Sequence, residues 1–189
     1  KVGHAGTLDP FAEGLLLACT GKNTKLINTL MNLEKEYVCR IKLGAETDTL
    51  DSTGKIIKEL DVTPFNQNDI DNALSLFIGK ISQIPPIYSA LKVSGKRAYD
   101  LARKGIQFSL LPREVHIHSI KVIDYGENFI DIIVNCGKGT YVRSLARDIA
   151  SKLNNIGFLE KLKRTRVGNY CKDSSVELDG VGKWISINQ

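Results

Sequence analysis

Asp9 has the most to offer chemically. It lies in the run Gly3-His4-Ala5-Gly6-Thr7-Leu8-Asp9-Pro10. Pro10 biases Asp9 away from helical dihedrals, and Gly3 and Gly6 permit backbone conformations closed to other residues. A loop of this kind can present a carboxylate at fixed geometry, where desolvation and a cationic partner tune its reactivity as a nucleophile. The same Asp-Pro pair is also a common helix start, with Asp9 as N-cap. On spacing alone both readings stand.

A second charged group stands out by its position. Arg143 falls in the first turn of a helix predicted after Gly139, with Thr140 as its cap. The macrodipole disfavours a cation there by roughly a few tenths of a kcal/mol, so an anionic partner is expected. Arg147, one turn on, reads as a helix-surface or structural residue. Further along, Lys92, Arg97, Tyr99 and Arg103 mix cations with an aromatic ring, as where a backbone is gripped beside unstacked bases, and a solvated basic face is the alternative. Four cations within Lys161 to Arg166 favour phosphate contact, and a solvated charge run is the alternative. Asp48 and Asp51 do not follow the calcium-loop spacing and no Glu closes the set, so no metal is expected. His116 and His118 alternate along a strand and receive no role. Cys19, Cys39, Cys136 and Cys171 have no zinc-like spacing and read as free thiols of a reducing cytosol.

The elements that must position these groups mix strands and helices without a regular βαβ rhythm. Val38 to Leu43 alternates as a strand, Gly44 to Gly54 is a polar loop, and Lys55 to Leu60 reads as the partner strand. Ile70, Ala73, Leu74, Phe77, Ile78 and Ile81 recur at helical spacing, with Asn68 as cap and Gly79 as an early stop. Pro85-Pro86 ends regular structure before a second helix over Ala98 to Lys104. Glu114 to Tyr125 and Phe129 to Cys136 form a hairpin, and Leu145, Ala146, Ile149, Ala150 and Leu153 make one apolar stripe. The expectation is an α+β fold on a mixed, largely antiparallel sheet. With 189 residues the chain suits one domain with a modest insertion. No apolar run approaches the roughly 20 residues of a membrane helix. A net charge of +5 is compatible with a polyanionic partner.

The segment Gly3-His4-Ala5-Gly6-Thr7-Leu8-Asp9-Pro10-Phe11-Ala12-Glu13-Gly14-Leu15-Leu16 closely resembles the signature of the TruB-type tRNA pseudouridine synthases. Lys35-Glu36-Tyr37, Ile84 to Lys92, Gly95 to Arg103, Gly139 to Asp148 and Leu159 to Gly168 resemble further family segments, so the likeness runs along nearly the whole chain. It implies that Asp9 is the nucleophile and that Tyr37 stacks on the target base and assists late proton removal. It also implies that Arg143 pairs with Asp9, keeping it ionised and oriented. His4 is implied to fill the gap left by the extruded nucleotide. Leu162 is implied as the apolar side chain beside the site, and Lys92, Arg97, Tyr99 and Arg103 as substrate contacts. Asp48 and Asp51 fall in a stretch similar to the family's acidic loop.

The implied reaction is isomerisation of the uridine at position 55, in the T loop of tRNA. It is net redox-neutral and needs no cofactor. The expected partner is the T arm of tRNA, in the cytoplasm, with no membrane, no obligate protein partner and a monomeric enzyme. Residues 1–173 are expected to be the catalytic core, with an RNA-clamping insertion over about 63–111 and a short tail over 174–189. Relatives carry a first strand and a Lys-Pro stretch ahead of the Asp9 loop, and many carry a C-terminal RNA-binding domain; both are expected to be absent here. A guide-RNA-dependent synthase and a non-catalytic RNA-binding or RNA-folding module are the competing readings.

Overall fold

The computed structural model describes residues 1–93 and 95–183. Along the chain run β1 (Val2–His4), β2 (Glu13–Gly14), β3 (Ala18–Thr20), α1 (Ile27–Met31), β4 (Lys35–Leu43), β5 (Ala45–Thr47), β6 (Ile56–Glu59), α2 (Gln67–Ser75) and β7 (Gly79–Gln83). Then come β8 (Lys92–Val93), β9 (Lys96–Arg97), α3 (Ala98–Arg103), β10 (Arg113–Gly126), β11 (Phe129–Cys136), α4 (Val142–Lys152), β12 (Gly157–Val167) and β13 (Tyr170–Cys171). Of the tail expected from residue 174, residues 184–189 lie outside the described part.

One sheet organises these elements, in the order β13-β12-β4-β11-β10-β7, with β2 added in parallel along β12. Every other ladder in it is antiparallel, which makes the sheet mixed and largely antiparallel. β4 is central because its alternation is two-sided. Cys39, Ile41 and Leu43 are buried, while Arg40 on the opposite face forms a fork with Asp131 of β11 at 2.6 and 2.7 Å. The buried residues of β4, β10, β11 and β12 form one core with Ile70, Ala73, Leu74 and Phe77 and with Leu145, Ala146, Ile149 and Ala150 of α4. Ile149 is fully buried; truncating it to Ala should cost about 2–5 kcal/mol.

Several expectations need correction. Residues 56–59 do not pair with the central strand; they pair with β5 in a small separate sheet, and β11 and β12 flank β4 instead. The longer apolar faces of β11 and β12 win that edge. Helix α2 is capped by Asn66, not Asn68: its side-chain oxygen accepts from the Asn68 and Asp69 amides, and Asp69 accepts from the Asn66 amide in return. That helix ends at Ser75, and Ile81 lies on β7, so the helical spacing past Phe77 is carried by two different elements. Thr140 does not cap α4. Its hydroxyl donates to the Gly137 carbonyl at 3.0 Å, and Tyr141 holds the cap position without a side-chain bond.

Candidate active site

The Asp9 loop joins β1 to β2 and is not the start of a helix. The Ala12 amide donates to the Asp9 carbonyl at 2.9 Å, closing a turn with Pro10 at its second position. The loop is fastened at both sides. The Ala5 amide donates to the Leu17 carbonyl at 2.8 Å, and the Leu15 amide to the Arg164 carbonyl at 2.8 Å. Gly14 allows the second contact, since a Cβ there would run into the Arg164 backbone, and its φ of +98° lies in the region that favours glycine.

Arg143 faces this loop from the N-terminal turn of α4 and is only 5% exposed. Its Nε and Nη2 donate to Oδ2 and Oδ1 of Asp9 at 2.9 and 2.8 Å, a planar fork on a carboxylate. The remaining donors are also engaged. Nη1 donates to the Thr49 carbonyl at 3.0 Å and lies 3.3 Å from Oδ2 of Asp51, and Nη2 reaches the Tyr88 carbonyl at 3.1 Å. The anionic neighbourhood demanded by the helix position is therefore two carboxylates. Asp9 stays 31% exposed at its side chain while Asp51 is buried. Two of the roughly four lone-pair positions on Asp9 are taken by the fork, leaving the others open to an incoming group.

Asp51 supports the arginine from behind. Its Oδ1 accepts from the Thr49 and Thr53 hydroxyls at 2.7 and 2.6 Å and from the Thr53 amide at 3.0 Å, which turns Oδ2 toward Arg143. The acidic loop thus buttresses Arg143, and among the described residues no cluster of His, Cys, Asp or Glu could hold a metal ion. Gln83, also buried, fixes the start of α4: its carboxamide accepts from the Tyr141 amide at 2.9 Å and donates to the Tyr141 carbonyl at 3.2 Å. Neither role is visible in residue spacing.

Burial pushes the Asp9 carboxyl above its ordinary value of 3.8; the Arg143 guanidinium pulls it back, and the Asp51 charge adds a smaller upward push. Desolvation is the larger of the two influences, and Arg143 acts against it in favour of the ionised form. Burial likewise raises the Tyr37 phenol.

Tyr37 lies on β4, half-buried, opposite Val134 on one side and Arg164 on the other. Leu162 pairs with Cys39 two residues along and shares the buried face of the sheet. The cation run of β12 is split by the strand. Arg164 is 1% exposed, Arg166 pairs with Glu34 and Glu36, and Lys161 and Lys163 alone of the four are exposed. Arg164 is a site residue that reading the run as one surface overlooks. A signal for it exists, because Arg164 is two residues from Leu162 and a strand puts such a pair on one face.

The remaining predicted contacts lie outside this buried centre. His4 is exposed on β1. Lys92 and Arg97 face each other across the β8–β9 hairpin. Arg97 donates to the Tyr99 hydroxyl at 3.0 Å, and the guanidinium carbons of Arg97 and Arg103 lie 5.8 and 5.6 Å from the Tyr99 ring centre. A strap joins tip to centre: the Tyr88 carbonyl accepts from Arg143, that of Ser89 from the Tyr99 amide at 3.1 Å and that of Leu91 from the Ala98 amide at 2.7 Å. Arg147 donates to the Ile84 carbonyl at 3.3 Å and pairs with Asp148. Two clefts, beside Phe65 and Tyr125 and beside α2 and β10, are lined by none of Asp9, Tyr37 or Arg143.

No helix among the described residues is long and apolar enough to cross a membrane. The family described as TruB family pseudouridylate synthase (N terminal domain) matches residues 1–142. The chain is 43% identical over 183 residues to tRNA pseudouridine synthase B of Clostridium tetani, covering 97% of this chain and 63% of that protein. It is 48% identical over 171 residues to the protein of that name from Mycoplasma mobile, covering 89% of this chain and 60% of that one. It spans less than two thirds of the length of these relatives. A chain in a solved Cbf5-Nop10-Gar1 complex superposes with a TM-score of 0.73 at 25% identity, over all of this chain and 48% of that one. The match over residues 1–142 and the identity to these relatives make this chain a member of the TruB family of pseudouridylate synthases.

Proposed function

We propose that this chain isomerises the T-loop uridine at position 55 of tRNA to pseudouridine, with Asp9 as nucleophile. The observation that carries the proposal is the two-point Arg143 fork on a partly exposed Asp9, held in a hydrogen-bonded turn. The uridine leaves its stack and enters beside Tyr37, whose ring offers a π-face to the base; His4 fills the gap left in the RNA. Asp9 starts the reaction. The C1′–N1 bond breaks, the uracil turns, a C1′–C5 bond forms, the C5 proton leaves and N1 gains one. Electrons balance without an oxidant or reductant. Tyr37 takes part in removing the C5 proton, Leu162 packs beside the base, and Lys92, Arg97, Tyr99 and Arg103 hold the RNA. Residues 1–173 act as the catalytic core, and the stretch over about 63–111 clamps the T arm.

A guide-dependent mode fits less well. Identity to the bacterial proteins named tRNA pseudouridine synthase B is well above the 25% to the chain of the Cbf5-Nop10-Gar1 complex.

The test uses an unmodified tRNA transcript carrying tritium at C5 of its uridines, with no guide RNA and no other protein. Release of tritium to water that stops when the position-55 uridine is replaced by cytidine is the expected result. Tight tRNA binding with no release would instead make the protein an RNA-binding module.

A further inference from the structure

Arg164 is the largest side chain with less than 2% exposure, yet no carboxylate pairs with it among the described residues. A buried guanidinium without a counter-ion is costly, so every donor should be satisfied in some other way. Here the partners are main-chain carbonyls of one loop: Nε donates to Leu15 at 2.7 Å, Nη2 to Gly6 at 3.2 Å, and Nη1 lies 3.5 Å from Thr7. These carbonyls lie on both sides of Asp9. On its own strand Arg164 is the direct cross-strand neighbour of Tyr37, which places the two side chains side by side on one face of the sheet.

We propose that Arg164 is a positioning residue of this site: one buried guanidinium ties the Asp9 loop to the strand that carries Tyr37. The inference rests on the reading of Asp9 and Tyr37 as reacting groups. Arginine suits the place because its planar fork presents Nε, Nη1 and Nη2 to three carbonyls at once, a geometry that a single ammonium does not reproduce. The charge has a second consequence. Tyr37 is faced by Arg164 from β12, Cys136 from β11 and Asp9 from the loop, and of these only Arg164 pulls the buried phenol back down. Fork and charge are thus separable contributions.

Two substitutions in the full chain separate them. Arg164→Lys keeps the charge and loses the fork; Arg164→Met loses both. The substrate is a T-arm RNA stem-loop. Both variants should bind it as wild type does, while the single-turnover rate falls about 100-fold, the order expected for a misplacement of about 1 Å. The NMR signal of the Arg143 Nε–H, which reports the bond to Asp9, should shift in both. The Tyr37 phenol titration, taken as the difference from Tyr37→Phe, should move to higher pH in Arg164→Met and stay in place in Arg164→Lys.

Wild-type rate and an unmoved Arg143 signal in Arg164→Lys would overturn the proposal. If both variants fail to fold, Gly14→Ala decides, because its Cβ drives the loop off β12 while Arg164 remains intact. The same rate loss and Arg143 shift are expected, and wild-type behaviour refutes the idea. If wild type itself binds the stem-loop and forms no pseudouridine, the functional reading fails. The Arg143 and Tyr37 signals then still report whether Arg164 positions these groups.

Discussion

The centre around Asp9 and the tip around Tyr99 are both rich in cations, but they hold them in opposite ways. In the centre, Arg143 and Arg164 are nearly inaccessible and their guanidinium groups are engaged by carboxylates and carbonyls. At the tip, Lys92, Lys96, Arg97 and Arg103 are exposed, and Arg97 and Arg103 stack near Tyr99. A saturated, buried cation has little left to give a phosphate and serves to fix other groups. An exposed one is free to neutralise a phosphate at little cost in desolvation. The centre should therefore govern rate and stability, and the tip affinity and its response to salt.

Among the groups that hold the site in place, the largest effect that would break this division is at Arg143. Arg143→Gln should lower turnover about a thousandfold, as for loss of a buried oriented charge in an active site. It should also destabilise the fold by about 3–5 kcal/mol, because Asp9 and Asp51 then face each other without a cation. Denaturant unfolding and single-turnover assays check both halves. Near-normal stability would mean that Arg143 is not the keystone of the centre.

At the tip, Arg97→Ala combined with Arg103→Ala should weaken RNA binding. The slope of log K against log salt should fall by about 1 for each phosphate that is no longer neutralised, while the rate at saturating RNA stays unchanged. A fall in rate at saturation would erase the distinction between the regions.

The pH dependence sharpens the picture of Asp9. Its folded carboxyl holds a proton more tightly than the unfolded value of 3.8, so its stabilising contribution is complete below 3.8 and is lost as pH rises through the folded value. Asp9→Asn and wild type should therefore melt together at low pH and separate above it, with the variant more stable. The acid limb of the wild-type rate profile should lie above 3.8. The smallest expected effect is at Arg147→Ala, within about 1 kcal/mol, since its pair with Asp148 is partly solvent-exposed.

Much of this arrangement is legible from residues alone, and the reason differs from place to place. The stripe on α4 is readable because Leu145, Ala146, Ile149 and Ala150 share one face and all are buried. The hairpin at Glu127-Asn128 is readable from its turn residues. Contact between Asp9 and Arg143, 134 positions apart, follows from family resemblance, as no local period connects them. Asp51 and Gln83 are opaque because their partners are backbone groups and an arginine brought together only by the tertiary fold. Arg164 is hidden for a different reason. A run of cations looks like one solvated surface until strand alternation turns its members to opposite faces.

The central claim is that Asp9 performs the chemistry and does not merely hold Arg143. It is tested most directly by comparing wild type with Asp9→Asn on an unmodified tRNA transcript, measuring RNA affinity and pseudouridine at position 55 in the same samples. The variant should keep wild-type affinity and lose product about 10⁴-fold or more, as for removal of a nucleophile. Pseudouridine formed by Asp9→Asn at a rate near that of wild type would contradict it.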